Sequence, residues 1–159
     1  PLASGGRIIR HQKEKRGEVM DIWKELRDEG IDPALLEEIQ HFRAAHPVPP
    51  EAEARIPVPQ CLYYGREVWE SAAAALLCGQ HLLLAGPKAT GKNVLAENLA
   101  AVFGRPVWDV SMYVNVDAAA LIGADTLQKG EVVFREGTIC RCARLGGFGV
   151  LDEVNMAKN

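Results

Sequence analysis

Hydrophobic positions in the first 46 residues recur at helical spacing. Val19, Trp23 and Leu26, with Met20 and Ile22 alongside, mark one helix, and Gly30 is its stop. Asp32 followed by Pro33 predicts a second start, the acid as cap and the proline where its missing N–H costs nothing. Leu35, Leu36, Ile39 and Phe42 then form an apolar stripe. Such a stripe reads first as packing on the chain's own elements, and second as a docking module. Residues 47–60 are proline-dense and show neither periodicity, so an extended linker is expected there. Beyond Cys61 the pattern alternates. It predicts helices over 66–78, 92–103 and near 138–145, and strands over 81–85, 106–111 and 148–152. Strands alternating with helices, and apolar on both faces, predict a parallel sheet covered by helices. The expected division is a helical region 1–46, a linker 47–60 and an α/β region 61–159.

Between the apolar run Leu82-Leu83-Leu84-Ala85 and the amphipathic run Val94, Leu95, Leu99, Val102 lies Gly86-Pro87-Lys88-Ala89-Thr90-Gly91-Lys92-Asn93. Strand, glycine-bounded loop and helix are the context of a phosphate-binding loop (Walker A). Backbone N–H groups of such a loop wrap the β-phosphate, and the helix that follows points its positive end at the same place. Gly86 and Gly91 give the backbone its freedom, and Lys92 supplies a cation for the β- and γ-phosphates. Two positions depart from the usual pattern. Asn93 stands where a Ser or Thr hydroxyl normally ligates Mg²⁺, although an amide oxygen is also a hard ligand. Ala89 occupies a place where glycine is common.

The second motif is Phe148-Gly149-Val150-Leu151-Asp152-Glu153. A parallel strand ending in two acids carries carboxylates to the sheet edge where ligands bind in such folds (Walker B). Asp152 is expected to hold the Mg²⁺ shell, and Glu153 to orient and activate the attacking water. Taken alone, the pair reads equally well as a solvated turn; about 60 residues after a phosphate loop it is far more specific.

Composition narrows the picture without changing it. The 159 residues suffice for one domain with a core plus additional sequence. A net charge of -3 gives no reason to expect nucleic acid as the main partner. No apolar run approaches the roughly 20 residues that cross a bilayer, so no membrane span is expected. The cysteines Cys61, Cys78, Cys140 and Cys142 read as reduced thiols of a cytoplasmic protein. Cys140 and Cys142 would point to different sides of a helix, poor geometry for one metal.

With both motifs in place, residues 61–159 resemble the first half of an AAA+ P-loop ATPase module, and are similar to the MoxR and CbbQ/NirQ/NorQ group of its dynein-related branch. Tyr63-Tyr64-Gly65-Arg66-Glu67-Val68 resembles the segment that the group uses beside adenine, which adds Tyr64 and Gly65 to the cofactor contacts. Val116-Asp117-Ala118-Ala119-Ala120-Leu121-Ile122-Gly123 resembles its short helix ending in Leu-Ile-Gly. Gly130-Glu131-Val132-Val133-Phe134-Arg135-Glu136-Gly137 resembles the insert before the strand leading to Leu151-Asp152-Glu153-Val154-Asn155-Met156-Ala157.

The resemblance implies ATP and Mg²⁺ as cofactors, a hexameric ring and a client protein remodelled by hydrolysis. Phe134 and Arg135 would touch that client, or Val133 and Phe134 would simply pack on the hairpin's own helix. It also implies a sensor strand, an arginine finger and a lid beyond Asn159, the sensor strand lying between the phosphate-loop strand and the acidic strand. Residues 1–159 alone are therefore expected not to turn over ATP at a useful rate and to leave two strand edges unpaired. Three other readings stay open: a P-loop small-molecule kinase, a nucleotide sensor without turnover, and a GTPase motor of the same branch.

Overall fold

The computed structural model describes residues 7–8, 20–112 and 116–156. Val19 and Ala157 therefore lie outside the described residues. The chain divides into two compact units, one made of residues 1–47 and 57–104, the other of 48–56 and 105–159.

The first unit is mainly helical. Helix α1 (Ile22–Asp28) begins at Asp21, whose carboxylate accepts from the N–H groups of Trp23 and Lys24. Helix α2 (Pro33–Ala45) begins at Asp32, which accepts from Ala34 N–H at 2.9 Å. Both caps follow from short acidic side chains placed just before a helical stripe. Helix α4 (Arg66–Leu77) and helix α5 (Lys92–Phe103) complete the unit; α2 packs on both, and α1 on α5. Leu26, Leu36, Ile39, Trp69, Leu95, Leu99 and Phe103 form the buried interior. Phe42 meets Phe103 edge to face at 5.4 Å. The stripe of α2 is thus covered by the chain's own helices. Two short strands, β1 (Arg7–Ile8) and β2 (Tyr63–Tyr64), pair antiparallel.

One expected element of this unit is not formed. Residues 81–85 carry no strand. Their exposure does alternate: Leu82 and Leu84 are half-buried, while Leu83 is 86% exposed. A strand is defined by its ladder, and among the described residues no strand pairs with this segment. An apolar run with the right period is therefore not sufficient.

The second unit is built on a parallel pair, β3 (Val107–Ser111) and β6 (Phe148–Asp152), in register from Val107 opposite Phe148 to Ser111 opposite Asp152. Trp108 is buried with Ala52, Cys142 and Leu145; Leu151, on the same face near the strand end, is 43% exposed, and Val107, Phe148 and Val150 on the other face are half-buried. Helix α7 (Thr138–Arg144) covers the Trp108 face. In α7, Cys142 is buried and Cys140 only half so, as a two-residue offset on a helix requires.

The linker expectation also needs correction. Residues 50–53 form a helical turn, α3 (Pro50–Glu53), with Ala52 fully buried, and Val107 N–H donates to Arg55 C=O at 3.1 Å. Pro50 sits where a helix tolerates proline best, so proline density starts this turn rather than preventing it. Helix α6 (Ala118–Leu121), capped by Asp117, leads into a hairpin of β4 (Gly123–Gln128) and β5 (Glu131–Glu136). Lys129 and Gly130, both at positive φ, form its two-residue turn.

Candidate functional site

The phosphate-loop residues occupy the first unit. Helix α5 starts at Lys92, and Gly91 precedes it with φ 82°, a left-handed conformation that glycine adopts without strain. Unlike α1 and α2, this helix has no side-chain cap hydrogen bond. The Lys92 ammonium folds back over its own loop, donating to Pro87 C=O at 2.7 Å and Gly86 C=O at 3.0 Å. Thr90 Oγ1 donates to Pro87 C=O at 3.0 Å, which tightens the same turn. Pro87, Lys88, Ala89 and Asn93 are exposed, and Thr90 and Lys92 are half-buried. Ala89 has φ 61°. The departure from glycine seen in sequence thus falls on a left-handed residue, where a Cβ costs roughly 1–2 kcal/mol.

Tyr64 and Gly65 belong to the same unit. Gly65 precedes α4, and its N–H donates to Glu29 Oε1 at 3.2 Å. Burial, then the charges of Glu25 and Glu29, raise the Tyr64 hydroxyl above its ordinary pKa, so it remains a neutral phenol.

The acidic pair lies in the second unit, at the carboxyl end of β6. Asp152 is half-buried and Glu153 exposed. Asp152 C=O accepts from Met112 N–H at 2.8 Å, continuing the parallel register, and its Oδ1 accepts from Glu153 N–H at 2.9 Å. Glu153 has φ 53°, a left-handed conformation that bends the chain sharply after the strand. A side chain other than glycine held there stores about 1–3 kcal/mol of strain, and such strain gathers at functional turns. Among the described residues no group of three or more His, Cys, Asp or Glu is placed to hold a metal ion. A magnesium ion here would therefore draw on one carboxylate, Asp152, and on oxygens from elsewhere. That donor set suits a cation that keeps several waters and takes its remaining ligands from phosphates.

Sequence reading missed Asn98. It is fully buried in α5 and bonded to the backbone of residues 61 and 63. The signal was available: Asn98 stands three residues after Leu95 and four before Val102, on the apolar face. The hairpin was anticipated, but not its two faces. Arg135 lines a cavity of about 620 Å³ together with Arg55, Trp108, Thr126 and Arg141, all in this unit. Phe134 lies on the opposite face with Leu127 and Val132, which are 74% and 72% exposed.

Residues 81–159 match the family model described as AAA domain (dynein-related subfamily). The chain is 34% identical over 116 residues to a Bacillus subtilis protein described as uncharacterized protein YojN, an alignment covering 70% of this chain and 38% of that protein. Uncharacterized proteins of Staphylococcus saprophyticus and Staphylococcus epidermidis are 33% and 35% identical over 96 residues, 57% of this chain and 36% of each relative. The chain thus spans little more than a third of the length of these relatives. No solved structure matches it. No helix among the described residues is long and apolar enough to cross a membrane. Residues 81–159, carrying both the loop and the acidic pair, are matched as an AAA domain of the dynein-related subfamily, and with that as a P-loop nucleotide-binding fold.

Proposed function

We propose that the full-length protein binds MgATP through residues 86–93 and hydrolyses it with the help of Asp152 and Glu153. The observation that carries this reading is the Lys92 ammonium, drawn over a loop that opens a helix with no side-chain cap. On this reading the triphosphate exchanges places with the Gly86 and Pro87 carbonyls as the partner of Lys92. The N–H groups of the loop and of the first helical turn then face the same anion. Magnesium, when bound, neutralises charge that develops on the transferred phosphoryl group. Asp152 and the Asn93 amide would hold its shell, and Glu153 would orient water and take its proton. Tyr64 and Gly65 would lie beside the base.

By its resemblance to the MoxR and CbbQ/NirQ/NorQ group, the protein would act as a cytoplasmic hexameric ring whose ATPase cycle remodels a client. The exposed Leu127, Val132 and Phe134 face of the hairpin would be offered to that client. Lys92→Ala and Glu153→Gln in the full-length protein test the division of roles. Lys92→Ala is expected to weaken ATP binding. Glu153→Gln is expected to keep binding and to lower turnover by roughly a hundredfold or more. Equal loss of binding in both variants would refute the assignment.

Ala89 at positive φ and Asn93 in the metal position favour one second reading, a nucleotide sensor that binds ATP without turnover. Tight binding with no ADP formation by the full-length protein would select it.

A further inference from the structure

Asn98 has no part in the chemistry just described, and its burial calls for a cause. A primary amide taken out of water costs several kcal/mol unless its polar atoms find partners, and Asn is an indifferent helix former. Here the whole carboxamide serves one short segment. Oδ1 accepts from Tyr63 N–H at 2.8 Å, and Nδ2 donates to Cys61 C=O at 2.9 Å. Two further side chains complete the grip: Trp69 Nε1 donates to Tyr63 C=O at 2.8 Å, and Glu29 accepts from Gly65 N–H. Only a group that donates and accepts at once can serve both Cys61 and Tyr63, and the carboxamide does so where leucine or a carboxylate cannot.

We propose that Asn98 is a positioning residue for base recognition. It fixes the backbone leading to Tyr64 and Gly65 against the same helix that begins with Lys92. Six residues of helical rise set the two ends about 9 Å apart. A single rigid element then carries the phosphate cation at its start and the base-side segment further along, so base and phosphates are read at one spacing. The inference rests on the reading of Tyr64 and Gly65 as base contacts, and is independent of hydrolysis.

The test compares ATP with inorganic tripolyphosphate as ligands of the full-length protein. Wild type is expected to bind ATP more tightly than tripolyphosphate. Asn98→Ala, and Asn98→Asp, which keeps the acceptor for Tyr63 and loses the donor to Cys61, should lower ATP affinity about tenfold. Tripolyphosphate affinity should stay unchanged. A folded variant with the ATP preference intact, or with equal loss for both ligands, overturns the role of Asn98. Equal affinities in wild type would instead remove the base-side reading on which the role stands. Hydrogen exchange on wild type needs no variant to fold: ATP but not tripolyphosphate should slow exchange of the Tyr63 amide, and equal protection by both ligands overturns the proposal.

Discussion

The two units hold their candidate site residues by different means. In the first, Lys92 and its loop stand at the start of a helix whose other side is buried against α1, α2 and β2. In the second, Asp152 and Glu153 stand at the end of a strand paired, among the described residues, with β3 alone. Leu151 there lies partly in solvent, and the final bend is closed by Glu153 N–H on Asp152 Oδ1 and Met156 N–H on Glu153 C=O. A group anchored by packing resists local change, because many contacts must be lost before it moves. A group anchored by one turn responds to small changes in backbone and charge. Of the two, the start of α5 is the more firmly packed and the strand end that carries the acids the less so.

Four perturbations sharpen or break that contrast. Trp69→Ala removes a ring that is almost fully buried, together with its bond to Tyr63, and should destabilise the first unit by about 3–5 kcal/mol in urea denaturation. Hydrogen exchange resolved by residue should show the loss in 20–47 and 57–104 before it appears elsewhere. Gly137→Ala strikes the second unit. A Cβ there would lie 2.5 Å from Leu121 C=O, where Gly137 N–H donates to Ile122 C=O at the foot of the hairpin. The cost should be about 1–3 kcal/mol, with exchange raised in 123–136 and unchanged at Trp69.

Ala89→Gly relieves an alanine already held left-handed and should stabilise the first unit by up to about 1 kcal/mol in urea denaturation. No gain in stability would mean that the loop does not hold the left-handed conformation described here in solution.

The smallest effect is on pH. Burial pushes the Cys142 thiol above its ordinary value, so the fold favours the neutral form. Its contribution is complete below the unfolded thiol's range and is lost as pH rises through the folded value. The urea midpoint of the second unit should therefore fall gently above about pH 8.5. Tyr64, raised mainly by burial, gives the first unit the same sign at higher pH, above about 10. Cys142→Ala should flatten the earlier decline and leave the later one.

What the sequence disclosed follows from how local each feature is. Helix α5 was legible because the amphipathic run Val94, Leu95, Leu99, Val102 follows directly on a glycine-bounded loop. Strand β6 was legible because its apolar run ends abruptly in two acids. The segment 81–85 has an equally good pattern and is no strand, since pairing belongs to two segments and the pattern of one cannot supply it. Pro49 and Pro50 read as linker because proline opposes regular structure in general, yet at a first helical turn it favours it. The loop residues 86–93 were found by their motif. Asn98 was passed over because a polar residue in an amphipathic helix is assigned to water by default, and only its position on the stripe says otherwise.

Arg43 carries a practical lesson about where a domain begins. From α2, its guanidinium reaches Val102 C=O at 3.0 Å and Ala101 C=O at 3.4 Å, closing the last turn of α5. The family match starts only at residue 81. A chain trimmed to that boundary would leave those carbonyls open and strip the cover from Leu95, Leu99 and Phe103. Solubility screens should accordingly favour starts ahead of α1 over any start chosen at the motif.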